Sequence, residues 1–314
     1  MEQINSKRSF SQAKRLTNTS NIIFNLVNFI ILSSLVIVTV YPFWNTIAVS
    51  FNDGLDSLRG GITFWPRKFT MQNYKAVFAT GAIFQAFLIS VTRTILQTVL
   101  SVFCTGLLAY SLSRKEYILR KPCTTILVIS MYVSAGIIPS YFLMRQLHLL
   151  NSYAVYIVPN LIDVFNFILV RTYIRGLPDS FVESARIDGA GEFRIFLNII
   201  MPLIVPAVAM VSLFVAVGAW NSWFDTYLYA SQKVNLHSLQ YVLMEFLQSS
   251  QNQSHSAADA GALALAGAAG GSGMVTPISI RASITIVATL PILLVYPFMQ
   301  KYFIVGMTIG GVKE

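Results

Sequence analysis

Charge is scarce in this sequence. Asp, Glu, Lys and Arg make up 11 % of its 314 residues, whereas a soluble domain has about a quarter. That shortage excludes an ordinary water-soluble globule. Histidine is scarce too: His148, His237 and His255 are scattered and no H-E-x-x-H is present, which argues against a metal-dependent hydrolase. No G-x-S-x-G offers a nucleophilic serine. The two cysteines, Cys104 and Cys123, lie in or beside apolar runs and form neither a disulfide framework nor a zinc spacing. Nor is there a G-x-x-x-x-G-K-[ST]: "GAAGGSG" has the glycines without the lysine. The chain has no nucleotide-phosphate loop of its own, and no internal repeat is visible.

What is present is apolar. Hydrophobic residues are 55 % of the chain and mean hydropathy is +0.63. Runs of about eighteen or more apolar residues recur, each long enough to cross a bilayer core. The reading is an all-α membrane protein with six transmembrane helices, at about 22–50, 82–112, 122–144, 153–174, 201–224 and 282–306. Helices are required because backbone facing lipid must satisfy its own hydrogen bonds. Pro139, Pro159, Pro206, Pro291 and Pro297 fall in or near these runs as kinks. The first run is too long for a cleavable signal peptide. A net charge of +9 fits loops held in the cytoplasm rather than nucleic-acid binding. With six spans, the side holding both termini carries 14 Lys and Arg and the other side 7. Both termini are therefore expected inside, although Arg59, Arg67, Lys68 and Lys75 in the first outer loop work against the bias.

This divides the chain into a cytoplasmic segment 1–20, a first helix with its outer loop over 21–81, a core of five helices over 82–306, and a tail 307–314. An Ala/Gly-rich stretch, 256–277, is expected to be a flexible outer loop. Between the fourth and fifth spans, within a cytoplasmic segment 176–200, lies "ESARIDGAGEFRIFLNIIMP", residues 183–202, with five charges in twenty residues. Its physical reading is helix, bend, helix. Pro178 opens a helix, Ser180 and Glu183 fit a capping box, Asp188-Gly189 supplies the bend, and Phe193, Phe196, Ile199 and Ile200 mark a second amphipathic helix. Two roles fit that shape: a plug for a soluble partner, or a surface helix capping its own bundle.

The same stretch resembles the E-A-A-x3-G-x9-I-x-L-P signature of permease subunits of binding-protein-dependent ABC importers. Here it reads Glu183-Ser184-Ala185, three residues, Gly189, nine residues, then Ile199-Ile200-Met201-Pro202. Ser184 and Met201 depart from the pattern; the spacing is kept. "PSYFLMRQLHLLNSYAVYIVP" and "LPILLVYPFMQKYFIVGMTIGGVKE" are similar to the maltose-type, carbohydrate-uptake branch, near the complex-oligosaccharide permeases. The Ala/Gly-rich loop is not a feature of that branch. The resemblance implies a type I importer permease fold in a bacterial cytoplasmic membrane, without enzymatic activity. It implies a second permease, two ATPase subunits that bind ATP and Mg, and an extracytoplasmic binding protein that delivers a carbohydrate. No cofactor is expected in this chain. Glu183, Ser184, Ala185, Asp188 and Gly189 would belong to a coupling helix, with Glu183 meeting a basic group of an ATPase.

Polar residues inside apolar runs need a reason. Asn160, Asp163 and Asn166, spaced by three, would share one face of the fourth span. "WNSWFD" ends the fifth span and brings together Trp220, Asn221, Trp223 and Asp225. Amides, carboxylates and flat aromatics suit a sugar pathway. Equally, the tryptophans suit interfacial anchors and Asp163 suits a structural pair with Arg93. Arg93 and Gln97, one turn apart, fit the bundle interior better than a pore wall. An ion-gradient-driven transporter of a small polar solute is the rival reading, with Asp163 as its only obvious mid-span carboxylate.

Overall fold

A computed structural model describes residues 2–79, 81–253 and 275–311. Described elements are helical, apart from an isolated bridge between Asn52 and Phe69. The chain divides into two compact units, Met1–Asn73 with Gly271–Ser283, and Tyr74–Gly270 with Ile284–Glu314.

The first unit is led by α1 (Glu2–Ser50). Its stretch Asn21–Ser50 is rich in apolar residues, and from Asn21 to Trp44 almost every side chain is exposed, while Ala48 and Ser50 at its end are buried, as expected of a helix whose solvent over most of its length is lipid. A short helix α2 (Gly54–Leu58) follows, started by Asp53, whose carboxylate accepts from the backbone N–H groups of Leu55 and Asp56. Asn52 knits this turn together: its amide donates to Asp56 and Ser57, and its oxygen accepts from the Lys68 N–H at 2.8 Å. Asp56 in turn holds Arg67 at 2.9 Å. Thr276, ahead of the last helix, donates to the Gly54 carbonyl.

After α3 (Gln72–Ala79), the second unit is organised by α4 (Ala82–Ser113). Next come α5 (Arg120–Tyr132), α6 (Ile137–Gln146), α7 (Val164–Arg175), α8 (Ser180–Ile187), α9 (Glu192–Ile195), α10 (Met201–Leu203), α11 (Val205–Asn221), α12 (Phe224–Tyr229) and α13 (Leu239–Gln253). The chain closes with α14 (Pro277–Gly311). Packing of α7 and α11 on α4 builds the main core, where Ala109, Tyr110, Leu112, Phe167, Ile174, Phe196, Ile204 and Val211 are buried.

Among the described residues three helices are long and apolar enough to cross a membrane: 21–50, 82–113 and 277–295. Two bent pairs bring the number to five if each is one span. The expected helix over 153–174 is broken: 3-10 turns at Tyr153–Tyr156 and Val158–Asn160 precede α7, with a bend of 47°. Pro159 lacks the N–H a helix needs there, and Asp163 restarts the chain as the cap of α7 by accepting from Asn166 N–H at 2.8 Å. The run over 122–144 is likewise interrupted at 133–136, where Gly136 has φ 85°. At the fifth run the bend is 84°, at Ile204 between Leu203 and Val205, with Pro206 in the first turn of α11. Helix α13 precedes the Ala/Gly-rich stretch expected to be an outer loop, of which residues 256–274 lie outside the described residues.

Candidate functional site

Two arrangements in the second unit carry chemistry. The first is a cavity of about 390 Å³ set into the break before α7. Gln97 of α4, Asn160, Asp163 and Asn166, and Ser222 and Asp225 supply its polar wall, with Phe214 and Gly218 of α11 on the apolar side. The three residues expected to share a face do meet here, by a different route. Asn160 ends a 3-10 turn, Asp163 caps a helix, and Asn166 sits in the first turn of α7. Asn166 is 95 % buried, and its side-chain oxygen has no hydrogen-bond partner among the described residues. A buried acceptor left open costs about 1–3 kcal/mol. Below Gln97 on α4, the hydroxyls of Ser101 and Thr105 are also buried without partners.

The expected partnership of Asp163 with Arg93 does not form. Arg93 is fully buried and pairs with Asp225 at 3.0 Å, donating also to the carbonyls of Ala219 and Ser222. Its guanidinium lies 4.9 Å from the Tyr156 ring centre. The geometry explains the choice: Asn221 ends α11 and its last carbonyls point toward a cation, whereas the Asp163 carboxylate is spent on its own helix. Arg93 thus belongs to the bundle, while Gln97 faces the cavity. Of the residues in "WNSWFD", Ser222 and Asp225 line the cavity, and Trp220, Asn221 and Trp223 do not. Trp220 is buried, with its Nε1 donating to the Ala288 carbonyl at 2.9 Å and its ring edge-on to Phe87. Trp223 packs against Phe224 and Tyr227. Ser222 and Gly218 were not visible as cavity residues, because helical spacing alone does not locate the end of α11.

The second arrangement is the charged segment after α7. Helix α8 buries Val182 and Ala185 against the main core and leaves Phe181, Glu183, Ser184 and Ile187 exposed. The capping box does not form: the N-cap is Asp179, one residue before Ser180, and it makes no side-chain cap. Lys115 holds the Asp179 carboxylate instead, at 2.7 Å. The bend at Gly189 is as expected, with φ 78°. Ala190 N–H bonds to Ala185 and Gly189 N–H to Arg186, the paired closure of a glycine-stopped helix. Beyond it the chain runs through α9 into a π-turn, Phe196–Ile200, which packs Phe196 against Tyr110 and Phe103.

Sequence reasoning missed how this segment is tied down. Arg186 bridges Glu116 and Glu192, at 2.8 Å each, and Glu192 accepts from Tyr110 Oη at 2.6 Å. The Arg186 hydrogen bond holds the Glu116 carboxyl below its usual range, and the two carboxylates raise Arg186 further above its own. Lys115 does the same for Asp179. Glu183, by contrast, has no ion pair or side-chain hydrogen bond among the described residues. A carboxylate on an exposed helix face, beside apolar Phe181 and Ile187, is available to something outside the chain.

The profile of the family described as "Binding-protein-dependent transport system inner membrane component" matches residues 101–309. The chain belongs to this family. This permease is 34 % identical over 294 residues to YtcP of Bacillus subtilis, a polygalacturonan/rhamnogalacturonan transport system permease protein, covering 93 % of this chain and 99 % of that one. Protein LplC of the same organism is 33 % identical, covering 93 % and 95 %. An arabinooligosaccharides transport system permease protein, AraQ of Halalkalibacterium halodurans, is 28 % identical, covering 88 % and 92 %. In three dimensions the permease superimposes on a chain of a bacterial ABC transporter involved in the import of the acidic polysaccharide alginate. The TM-score is 0.77 at 27 % identity, covering 90 % of this chain and 98 % of that one. It is a transmembrane pore subunit of an ABC importer, a transport component and not itself an enzyme.

Proposed function

We propose that this permease forms half of the pathway by which an oligosaccharide is imported. The observation that carries the substrate class is the cavity at the break before α7, walled by three side-chain amides, two carboxylates and a serine hydroxyl. Each sugar hydroxyl both donates and accepts, and each bond made there is worth about 1 kcal/mol. The carbohydrates in the names of two relatives, polygalacturonan/rhamnogalacturonan for YtcP and arabinooligosaccharides for AraQ, support this class. In this reading the chain crosses the membrane six times, with α5 and α6 together forming a broken crossing and both termini in the cytoplasm. A second, similar permease completes the pore, an extracytoplasmic binding protein delivers the sugar, and two ATPase subunits bind ATP and Mg. Helix α8 is the coupling helix, with Glu183, Ser184, Ala185, Asp188 and Gly189 at or under the ATPase contact.

The test is uptake of a labelled oligosaccharide into vesicles holding the reconstituted importer with its binding protein. ATP-dependent uptake that falls when Asn166 is replaced by Leu, with assembly unchanged, supports the reading. Uptake driven by an ion gradient without ATPase subunits, or ATP-dependent uptake indifferent to the cavity substitutions, would sink it.

A further inference from the structure

The outer loop of the first unit holds a cluster that importing a sugar does not explain. Residues 62–69, "ITFWPRKF", fold back on the far end of α1. Trp44 Nε1 donates to the Phe64 carbonyl at 2.8 Å, and Asn45 Nδ2 donates to the carbonyls of Ile62 and Thr63 at 2.6 and 3.2 Å. Asp53 N–H bonds to Lys68 and Thr70 N–H to Phe51, closing the other side. Arg67 locks the loop from within, through Asp56 and the Gly60 carbonyl. The loop is therefore built, with its backbone fixed to α1 at defined heights.

Its aromatic side chains are nevertheless exposed: Phe64 58 %, Trp65 73 % and Phe69 66 %. They are arranged against α1 aromatics, Phe64 edge-on to Tyr41, Trp65 edge-on to Trp44, and Phe69 stacked on Phe51. Arg59 and Lys68 are exposed beside them, with no ion-pair partner among the described residues. Those two are among the cations that ran against the charge bias of the sequence.

The height of the cluster says what covers it. About twenty residues of helix cross the hydrocarbon core. Counted from Ile22, where the apolar surface of α1 begins, that length ends at Tyr41, and Trp44 lies one turn further. Loop 62–69 is bonded at that level, where hydrocarbon gives way to headgroups and where Trp and Tyr concentrate. Since α1 leaves its large apolar side chains from Ile22 to Trp44 exposed, the bilayer reaches the cluster along it. We propose that loop 62–69 is a lipid-interface anchor: Phe64 and Trp65 enter the boundary layer, and Arg59 and Lys68 bind phosphates of anionic headgroups.

The full-length chain in phosphatidylcholine vesicles, with and without phosphatidylglycerol, provides the test. It carries four tryptophans, so subtracting the emission of Trp65→Phe from that of the wild type isolates Trp65. The anchor predicts that lipid brominated near the glycerol end of the acyl chain quenches this signal while aqueous iodide does not. It also predicts a blue shift on adding phosphatidylglycerol that the double variant Arg59→Gln/Lys68→Gln loses. Quenching by iodide alone would make the loop a water-facing one, and protection from both quenchers would mean that protein covers it. Either result overturns the anchor. A blue shift undiminished in the double variant overturns the headgroup assignment.

Discussion

Arg93 shows how much a single residue can depend on one partner. It is sealed from solvent, and among the described residues its charge is supported by Asp225, two carbonyls and the Tyr156 ring. Removing one member of such a pair costs about 3–5 kcal/mol, while replacing both with apolar groups is often neutral. Arg93→Met should therefore lower the thermal unfolding midpoint of the purified protein sharply, and Arg93→Met/Asp225→Leu should recover most of it. A single variant no less stable than the double would show that the pair is not structural. At Asp56 the dependence is on pH. The Asn52 amide hydrogen bond, opposed by burial and reinforced by Arg67 and Lys68, holds this carboxyl below its usual range. A depressed folded-state pKa gives stability that is fully present above the ordinary carboxylate range and is lost as pH falls through the folded value. Loop 62–69 should hold its Trp44–Trp65 packing at mildly acidic pH and release it only in stronger acid, followed by tryptophan emission. In Asp56→Asn that acid step should disappear and the loop should be weaker at neutral pH.

At the scale of elements, helix α8 is fastened at both ends to the segment that follows α4: Lys115 to Asp179 at its start, and Glu116 to Arg186 at its finish. Each exposed bridge alone contributes about 0.2–1 kcal/mol. Their value is positional, since they make α8 follow α4, whose far half carries Arg93 and Gln97. Arg186→Met is accordingly expected to leave ATP hydrolysis by the assembled importer within a few tenths of normal while reducing sugar moved per ATP, measured on the same vesicles. Equal loss of hydrolysis and transport would reduce Arg186 to a fold-stabilising role. The sequence made α8 itself legible, because glycine at a left-handed bend and the 183–202 spacing are local features. It mislaid the cap, since Asp179 and Ser180 are both good capping residues and the choice between them rests on Lys115, 64 positions away. The long apolar runs were legible through hydropathy, and their breaks at 133–136, 161–163 and Ile204 were not. Hydropathy counts apolar residues and ignores whether a proline or a capping carboxylate has ended the helix. Asn160, Asp163 and Asn166 were legible as a group for the wrong reason, as a helical face where the structure has a break. The Arg93 partner was the least accessible of all, being a matter of tertiary packing between α4 and the end of α11.

The whole molecule is an incomplete object, and Glu183 is where the incompleteness is sharpest. It projects from a helix whose neighbouring charges Asp179, Arg186 and Glu192 are all engaged within the chain, whereas Glu183 has no such partner among the described residues. Membership of the binding-protein-dependent transport family implies a permease that works with ATPase subunits, so the energy for import arrives from outside through a contact. A helix held rigidly by two salt-bridged ends, with an unpaired carboxylate between exposed Phe181 and Ile187, is a suitable receiver for that contact. If a basic group of an ATPase subunit meets Glu183 away from water, deleting the carboxylate strands that cation at a cost of about 3–5 kcal/mol. If Glu183 merely favours the first turn of α8, the loss is about 0.3–1 kcal/mol. The two cases differ by about 2–5 kcal/mol, at least about thirtyfold in an equilibrium constant, which gentle extraction and mass spectrometry of co-purifying proteins can resolve. Wild-type chain should bring down an ABC ATPase and a second permease, and Glu183→Ala should retain the permease but lose most of the ATPase. Undiminished ATPase recovery from Glu183→Ala would move the contact elsewhere on α8, with exposed Ser184 and Ile187 next to be replaced. A chain recovered alone in both preparations would mean that α8 caps its own bundle and nothing more.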